Sequence, residues 1–181
     1  ENGRPDQIVV DLGTTAYMAT LEFGRRLKDR GIFFADSPVS GMEARAREGN
    51  LTIMFGGDHK VFKRLQPVFG VLGDLILYMG ELGSGQLTKL INQLLFNISA
   101  AAIAEILPMA AKLGLDPEKV ISVVNSGTGK SFAAEFFGPR ILKDSFEEGY
   151  PLKHAYKDMV SAAEIGAHKK IPLPLVQAAT T

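Results

Sequence analysis

Apolar positions in the first half of the chain follow two alternating patterns: short β-branched or aromatic runs, and longer stretches with an apolar residue every three or four positions. The short runs predict buried strands and the longer stretches predict helices. Strands are predicted in "IVVD", "IFFADSPVSG", "LTIMFGGD" and "LILYMG", with helices over 16–29 and 59–69. Thr14 or Thr15 is expected to cap the first helix. This alternation is typical of an α/β sheet with crossover helices.

The pattern changes after Gly85, where only helices are predicted. A long helix over 86–113 has a wide face of Leu and Ile, followed by alanines that allow close helix contact. Asp116 and Pro117 form a helix-start signal, and further helices are predicted at 132–143 and 152–168. The chain is therefore predicted to be α/β over residues 1–85 and all-helical over 86–181.

The helix predicted over 86–113 is apolar nearly all round, which is typical of a helix buried on both sides. Packing against the sheet half and a second subunit would bury it, so we predict a homodimer or homotetramer. The core of a single-chain bundle is the alternative. We predict no membrane span, because Asn97, Ser99 and Glu105 interrupt the apolar residues.

The composition is typical of a globular cytoplasmic protein, with 46% hydrophobic and 22% charged residues. Twenty basic residues balance twenty acidic ones, so no basic field favours nucleic acid or an anionic membrane. The absence of cysteine excludes disulfides, thiolate catalysis and cysteine-based zinc sites. The three histidines are scattered, so we expect no dedicated metal site.

Both ends of the sequence favour a part of a longer protein. The chain begins with Glu1 rather than Met, and an apolar strand that needs neighbours on both sides follows within a few residues. The final "PLPLVQAATT" stops where a helix is beginning. A complete short protein with frayed ends is the alternative.

Two glycine-rich stretches resemble nucleotide-binding loops, but each lacks a required feature. "GSGQLT" has Thr88 in place of the third glycine of the dinucleotide fingerprint, and no strand follows to carry its acidic residue. "SGTGKS" has Val124 where a P-loop needs its first glycine. We reject both as nucleotide loops.

Two polar clusters are candidates for a site. Asn92 and Gln93 lie three and four positions after Lys89 and share a helix face with it, although by pattern alone a solvated face near a helix start is the favoured reading. A cation near a helix start is slightly unfavourable, which hints at another role for Lys89. In "DSPVSG", Ser40 and Gly41 end a strand, where α/β sheets bind ligands, and can bind a carboxylate; an ordinary turn is the alternative.

Three segments in register resemble the β-hydroxyacid dehydrogenases, the family of 3-hydroxyisobutyrate dehydrogenases and tartronate semialdehyde reductases. "DSPVSGMEARAREGNLTIMFGGD" resembles the substrate-binding segment of that family, "GSGQLTKLINQ" its catalytic segment, and "YKDM" a motif near the cofactor. The resemblance implies the remainder of a Rossmann-like domain over 1–85, without its dinucleotide-binding loop. It also implies a helical substrate and dimerisation domain over 86–181, led by a long interdomain helix and cut short at its C-terminus.

The resemblance implies hydride transfer between NAD or NADP and the hydroxyl carbon of a small 3-hydroxy acid. By this resemblance Lys89 is the catalytic acid and base, and Ser40 and Gly41 bind the substrate carboxylate. Asn92 and Gln93 position the substrate, and Thr14 and Lys157 contact the cofactor. Burial would lower the pKa of Lys89 from about 10.4 toward ~7–8. The alternative is a non-catalytic dimerisation module or an inactive piece of such an enzyme, because the dinucleotide loop is missing.

Overall fold

A computed structural model describes residues 3–147 and 149–181, and these ranges contain five strands and eight helices. The first half alternates strands and helices: β1 (Ile8–Asp11), α1 (Tyr17–Lys28), β2 (Phe33–Asp36), β3 (Val39–Ser40), α2 (Met42–Arg47), β4 (Leu51–Gly56), α3 (His59–Leu72) and β5 (Gly73–Gly80). The second half is helical: α4 (Ser84–Lys112), α5 (Pro117–Ser126), α6 (Phe132–Leu142), α7 (Leu152–Lys169) and α8 (Pro174–Thr180). The predicted fold class, α/β followed by all-α, is confirmed.

The chain divides into two compact units, and the division falls inside α4, between Ile91 and Asn92. The first unit contains the sheet and the start of α4, and the second contains the rest of α4 and the four helices that follow. The assignment of cofactor binding to one region and of substrate binding and dimerisation to the other stays a prediction.

The sheet is mixed, and its two parallel strand pairs have a helix between them. β1 lies parallel to β2 with α1 as its crossover, and β4 lies parallel to β5 with α3 as its crossover. β2 and β3 both run antiparallel to β4. The strand predicted in "IFFADSPVSG" to end at Pro38 does end before it, because proline has no N–H to donate to a ladder, but Val39–Ser40 form a further short strand that was not predicted.

An aromatic core holds α3 against the sheet in the first unit. The ring centroid of Phe55, on β4, lies 5.2 Å from that of Phe62 and 5.9 Å from that of Phe69, both on α3. Asp58 caps α3 by accepting the Lys60 N–H at 2.6 Å. These contacts fix β4, which pairs with the strands that lead to the candidate site.

The predicted threonine cap of α1 is wrong. The helix begins after Ala16, which makes no side-chain cap. The Thr15 hydroxyl donates instead to Asp11 Oδ2 at 2.6 Å, because the carboxylate at the end of β1 lies within its reach. The threonine therefore shapes the loop after β1 rather than the start of the helix.

The long helix α4 has the length and composition of a membrane span, with a mean hydropathy of 1.7 over its most apolar window. The prediction that the interrupting polar residues rule out such a run is wrong, because they are too few to lower this average. The burial pattern also differs from expectation. Gln86, Gln93 and Asn97 are buried, whereas Ile91 and Leu95 are 61% and 67% exposed.

Candidate active site

A carboxylate at the end of β1 organises the loop that contains Thr14. Asp11 Oδ1 accepts the Gly13 N–H at 2.8 Å, and its Oδ2 accepts the Thr15 hydroxyl at 2.6 Å. Thr14 lies between these two anchored residues and is partly exposed. The loop therefore holds the residue predicted to touch the cofactor between two fixed neighbours.

The glycines of "GSG" allow α4 to begin directly against the sheet. Gly83 has a φ of +93°, a left-handed conformation that favours glycine. A Cβ on Gly85 would lie 2.2 Å from the carbonyl oxygen of Met54 on β4. The motif is therefore a close helix–strand contact, consistent with its rejection as a dinucleotide loop.

Asp36, at the end of β2, holds the first turn of α4. Its Oδ1 accepts the Gly83 N–H and its Oδ2 accepts the Gln86 N–H, each at 2.7 Å. The side chain is fully buried, and this burial raises the pKa of Asp36 although the two N–H donors oppose the rise. The carboxylate satisfies N–H groups at a helix start, where negative charge is favourable.

Gln86 connects α4 to the loop after β1. Its Oε1 accepts the Thr15 N–H at 3.1 Å, and its Nε2 donates to the Gly13 carbonyl at 2.8 Å. The residue is only 2% exposed, and both ends of its amide have a partner inside the protein. Lys89, partly exposed, follows one turn later on the same helix.

Ser40 and Gly41 lie where β3 ends and α2 begins. Ser40 pairs with Thr52 of β4 and is partly exposed. Gly41 has a φ of +145°, and a Cβ there would lie 2.8 Å from the Arg45 Cβ. This turn therefore requires glycine at 41, and binding of a carboxylate by the pair stays a prediction.

In the second unit, Asp158 links three of the residues that sequence analysis assigned to the site. Gln93 Nε2 lies 3.5 Å from Asp158 Oδ2, and Lys157 Nζ lies 3.4 Å from Asp158 Oδ1. Asn92 Nδ2 donates to Gln93 Oε1 at 3.2 Å. Asn92, Gln93 and Lys157 are therefore joined through one carboxylate that is itself 2% exposed.

Sequence analysis gave no role to Asp158 or to Tyr150. The Tyr150 hydroxyl donates to Asp158 Oδ2 at 2.7 Å. Burial raises the pKa of Tyr150 above its ordinary value, and the adjacent carboxylate adds to the rise because it repels a phenolate. Asp158 had a signal in "YKDM", a carboxylate next to a candidate lysine, whereas Tyr150 lies in no recognisable motif.

Family models match both halves of the chain. Residues 1–80 match the model described as the NAD binding domain of 6-phosphogluconate dehydrogenase. Residues 83–181 match the model described as NAD-binding of NADP-dependent 3-hydroxyisobutyrate dehydrogenase. The chain belongs to the β-hydroxyacid dehydrogenase family. The family predicted from the three motifs, and its NAD or NADP cofactor, are thereby confirmed.

Individual β-hydroxyacid dehydrogenases match nearly the whole chain. It is 34% identical to 2-(hydroxymethyl)glutarate dehydrogenase of Eubacterium barkeri, over 96% of the chain and 58% of that protein. It is 36% identical to 2-hydroxy-3-oxopropionate reductase of Escherichia coli strain K12, over 92% of the chain and 57% of that protein. The chain therefore spans less than two thirds of these relatives. Both are bacterial, and the cytoplasmic location stays a prediction.

A solved β-hydroxyacid dehydrogenase structure has the same fold. The chain superposes on 3-hydroxyisobutyrate dehydrogenase from Salmonella typhimurium with a TM-score of 0.90 at 26% identity, over 98% of the chain and 62% of that structure. A match of this extent includes most of α4. The long apolar helix is therefore a helix of this enzyme fold.

Proposed function

We propose that the protein containing this chain is an NAD(P)-dependent oxidoreductase that transfers a hydride between its cofactor and the hydroxyl carbon of a small 3-hydroxy acid. The main observation in support is the buried contact of α4 with the ends of β1 and β2. Asp36 lies four residues before Ser40, and Gln86 lies three residues before Lys89 and holds the loop of Thr14.

The names of the relatives share a substrate chemistry. In 2-(hydroxymethyl)glutarate, 3-hydroxyisobutyrate and 2-hydroxy-3-oxopropionate, the reacting carbon is attached to the α-carbon of a carboxylate. A site for such molecules needs an anchor for the carboxylate and a proton donor two carbons away. We assign the anchor to Ser40 and Gly41, and the proton donor to Lys89.

Lys89 moves the proton in this proposal. When bound, the nicotinamide supplies or receives the hydride. During reduction, the carbonyl oxygen gains negative charge as its carbon accepts the hydride, and the Lys89 ammonium donates a proton to that oxygen. During oxidation, the Lys89 amine accepts the hydroxyl proton.

The residues around Asp158 position the substrate and the cofactor. Gln93 donates to Asp158 and accepts a hydrogen bond from Asn92 Nδ2, and Asn92 itself is exposed on α4. Lys157 Nζ lies 3.4 Å from Asp158 Oδ1, and its side chain is 51% exposed, and we assign this residue to the cofactor. An ammonium suits a polar cofactor, and we assign the Thr14 hydroxyl of the first unit to the cofactor as well.

The substrate class can be tested with three related compounds and the complete gene product that contains this chain. We expect oxidation of 3-hydroxyisobutyrate with NAD+ or NADP+, followed by the absorbance of the reduced cofactor. The methyl ester lacks the carboxylate charge, and lactate carries its hydroxyl on the wrong carbon, so both should react at least ~10²-fold more slowly. Equal rates with the ester would contradict the carboxylate anchor. No turnover, together with no heat on titration with NADH or NADPH, would favour the non-catalytic module.

We also propose that α4 pairs with a second copy of the chain. Exposed apolar side chains lie along one face of the helix and directly after its last residue: Ile91, Leu95, Ile106 and Met109 on α4, and Leu113 just beyond it. Except for Ile106, their positions are symmetric about Ala102, so an antiparallel copy would place Leu95 opposite Met109 and Ile91 opposite Leu113. An exposed apolar face marks an interaction surface, and a two-fold axis requires a self-complementary face.

Substituting one residue of this face should separate the copies. Leu95→Glu places a charge in the proposed interface, and the chain should change from a dimer or tetramer to a monomer in sedimentation velocity. Leu175→Glu is the matched control, because Leu175 is also 67% exposed and also lies on a helix. It should leave the association state unchanged. A wild-type chain that sediments as a monomer at all concentrations would refute the pairing.

A further inference from the structure

We infer that Gln86 is a positioning residue that, together with Asp36, locks the loop of Thr14 to the turn of α4 that precedes Lys89. The inference rests on the proposed function for its catalytic meaning. The contact itself is a structural statement that can be tested without any activity.

The polar contacts form a continuous chain across two neighbouring strands. Asp11 and Asp36 are register partners at the ends of β1 and β2. Asp11 accepts the Thr15 hydroxyl, the Thr15 N–H donates to the Gln86 side chain, and the Gln86 N–H donates to Asp36. A helix turn and a strand-end loop that lie about 70 positions apart in sequence are thereby held together by partly buried hydrogen bonds from the buried Gln86.

The chemistry of this position selects an amide. The Thr15 N–H requires an acceptor and the Gly13 carbonyl requires a donor, and a glutamine side chain offers both at once. A carboxylate at position 86 would have no proton for Gly13 and would add a negative charge near Asp36. A thioether of the same length would leave the Thr15 N–H and the Gly13 carbonyl without their partly buried hydrogen bonds to residue 86.

Gln86 affects the reaction by fixing the relative positions of the Thr14 loop and Lys89, not by touching the substrate. With the link intact, the backbone around Thr14 and the helix turn before Lys89 keep one arrangement before any ligand binds. Without it, the loop of Thr14 must be ordered when the cofactor binds, which weakens binding. Turnover falls as well, because proton donor and hydride carbon are less often aligned. The Michaelis constant for the hydroxy acid should change least, since Ser40 and Gly41 lie at the junction of β3 and α2.

The test compares Gln86→Met with Thr88→Val. Both substitutions lie on the first turns of α4 and both remove hydrogen bonds, but the Thr88 hydroxyl donates only to the Ser84 carbonyl of its own helix. In the chain, hydrogen exchange of the Thr15 amide should become at least about tenfold faster in Gln86→Met and should stay unchanged in Thr88→Val. In the complete gene product, Gln86→Met should raise the dissociation constant for NADPH or NADH and lower kcat, each about tenfold.

A second substitution keeps the size of the side chain. Gln86→Glu retains its length and one acceptor, but it loses the donor to the Gly13 carbonyl and adds a buried negative charge near Asp36. The link therefore predicts that it fails like Gln86→Met. Unchanged Thr15 exchange in Gln86→Met, or wild-type cofactor affinity and kcat in both variants, would overturn the inference. If either of these overturning results is found while Lys89→Ala abolishes turnover, only the link is wrong. If Lys89→Ala keeps full turnover, the proposed function is wrong.

Discussion

Replacing Lys89 with alanine should lower turnover in the complete gene product by at least ~10²-fold, the usual contribution of a general acid or base. The reason is electrostatic. The substrate oxygen becomes an alkoxide during reduction, and Lys89 is the group that we assign to supply its proton. Binding of the cofactor should persist, because Thr14 and Lys157 are unchanged.

Steady-state kinetics and calorimetry on the same preparation check this expectation. Lys63→Ala is the matched control, because it removes an exposed lysine from α3 within the same unit. It should leave both turnover and cofactor affinity at the wild-type level. A Lys89→Ala enzyme with unreduced kcat would remove Lys89 from the reaction.

Gly85→Ala should lower the free energy of unfolding of the chain by about 3 kcal/mol, at the upper end of the range for overpacking. The new Cβ would lie 2.2 Å from the Met54 carbonyl oxygen and 2.9 Å from Asp36 Oδ2. The first of these atoms belongs to the backbone of a paired strand, so it cannot rotate away. The start of α4 would have to move off the sheet, and the bonds from Asp36 would lengthen.

Gly70→Ala should raise the free energy of unfolding, the opposite of the change expected for Gly85→Ala. Gly70 lies in α3, and an added Cβ there would meet no atom within 4 Å. Alanine loses less backbone entropy than glycine on folding, so this variant should be stabilised by about 0.5–1 kcal/mol. Urea unfolding of the two variants checks both values. Equal stability of Gly85→Ala and the wild type would mean that α4 does not begin against β4.

The order of elements was predictable because it follows from short-range patterns. The runs around Ile53 and Ile76 and the cap at Asp116 carry their signals within a few residues. The short helix α2 was not predicted, because six residues make fewer than two turns and show no repeat. The threonine cap failed because Asp11, outside the helix, takes the Thr15 hydroxyl.

The buried side of α4 was not predictable from hydrophobic pattern. Leu and Ile along the helix indicated the buried face, yet Gln86 and Gln93 are buried while Leu95 is exposed. The amides are buried because each finds partners from segments far away in sequence, on the loop after β1 and on α7. A pattern within one helix contains no information about such partners.

The candidate site was likewise only partly predictable from sequence. The motifs identified Gln93 and Lys157, but only the fold reveals that both lie against Asp158, which also accepts the Tyr150 hydroxyl. A carboxylate that orients neighbouring side chains has no sequence pattern of its own. The roles of Ser40, Gly41 and Lys89 toward a substrate stay predictions.

A crystal structure of the complete gene product with NADP+ and 3-hydroxyisobutyrate tests the central claim most directly. We predict that Lys89 Nζ lies within ~3.2 Å of the substrate hydroxyl oxygen, and that Ser40 and Gly41 lie within the same distance of its carboxylate. A hydroxy acid bound away from both segments, with Lys89 and Ser40 on separate surfaces, would contradict the account.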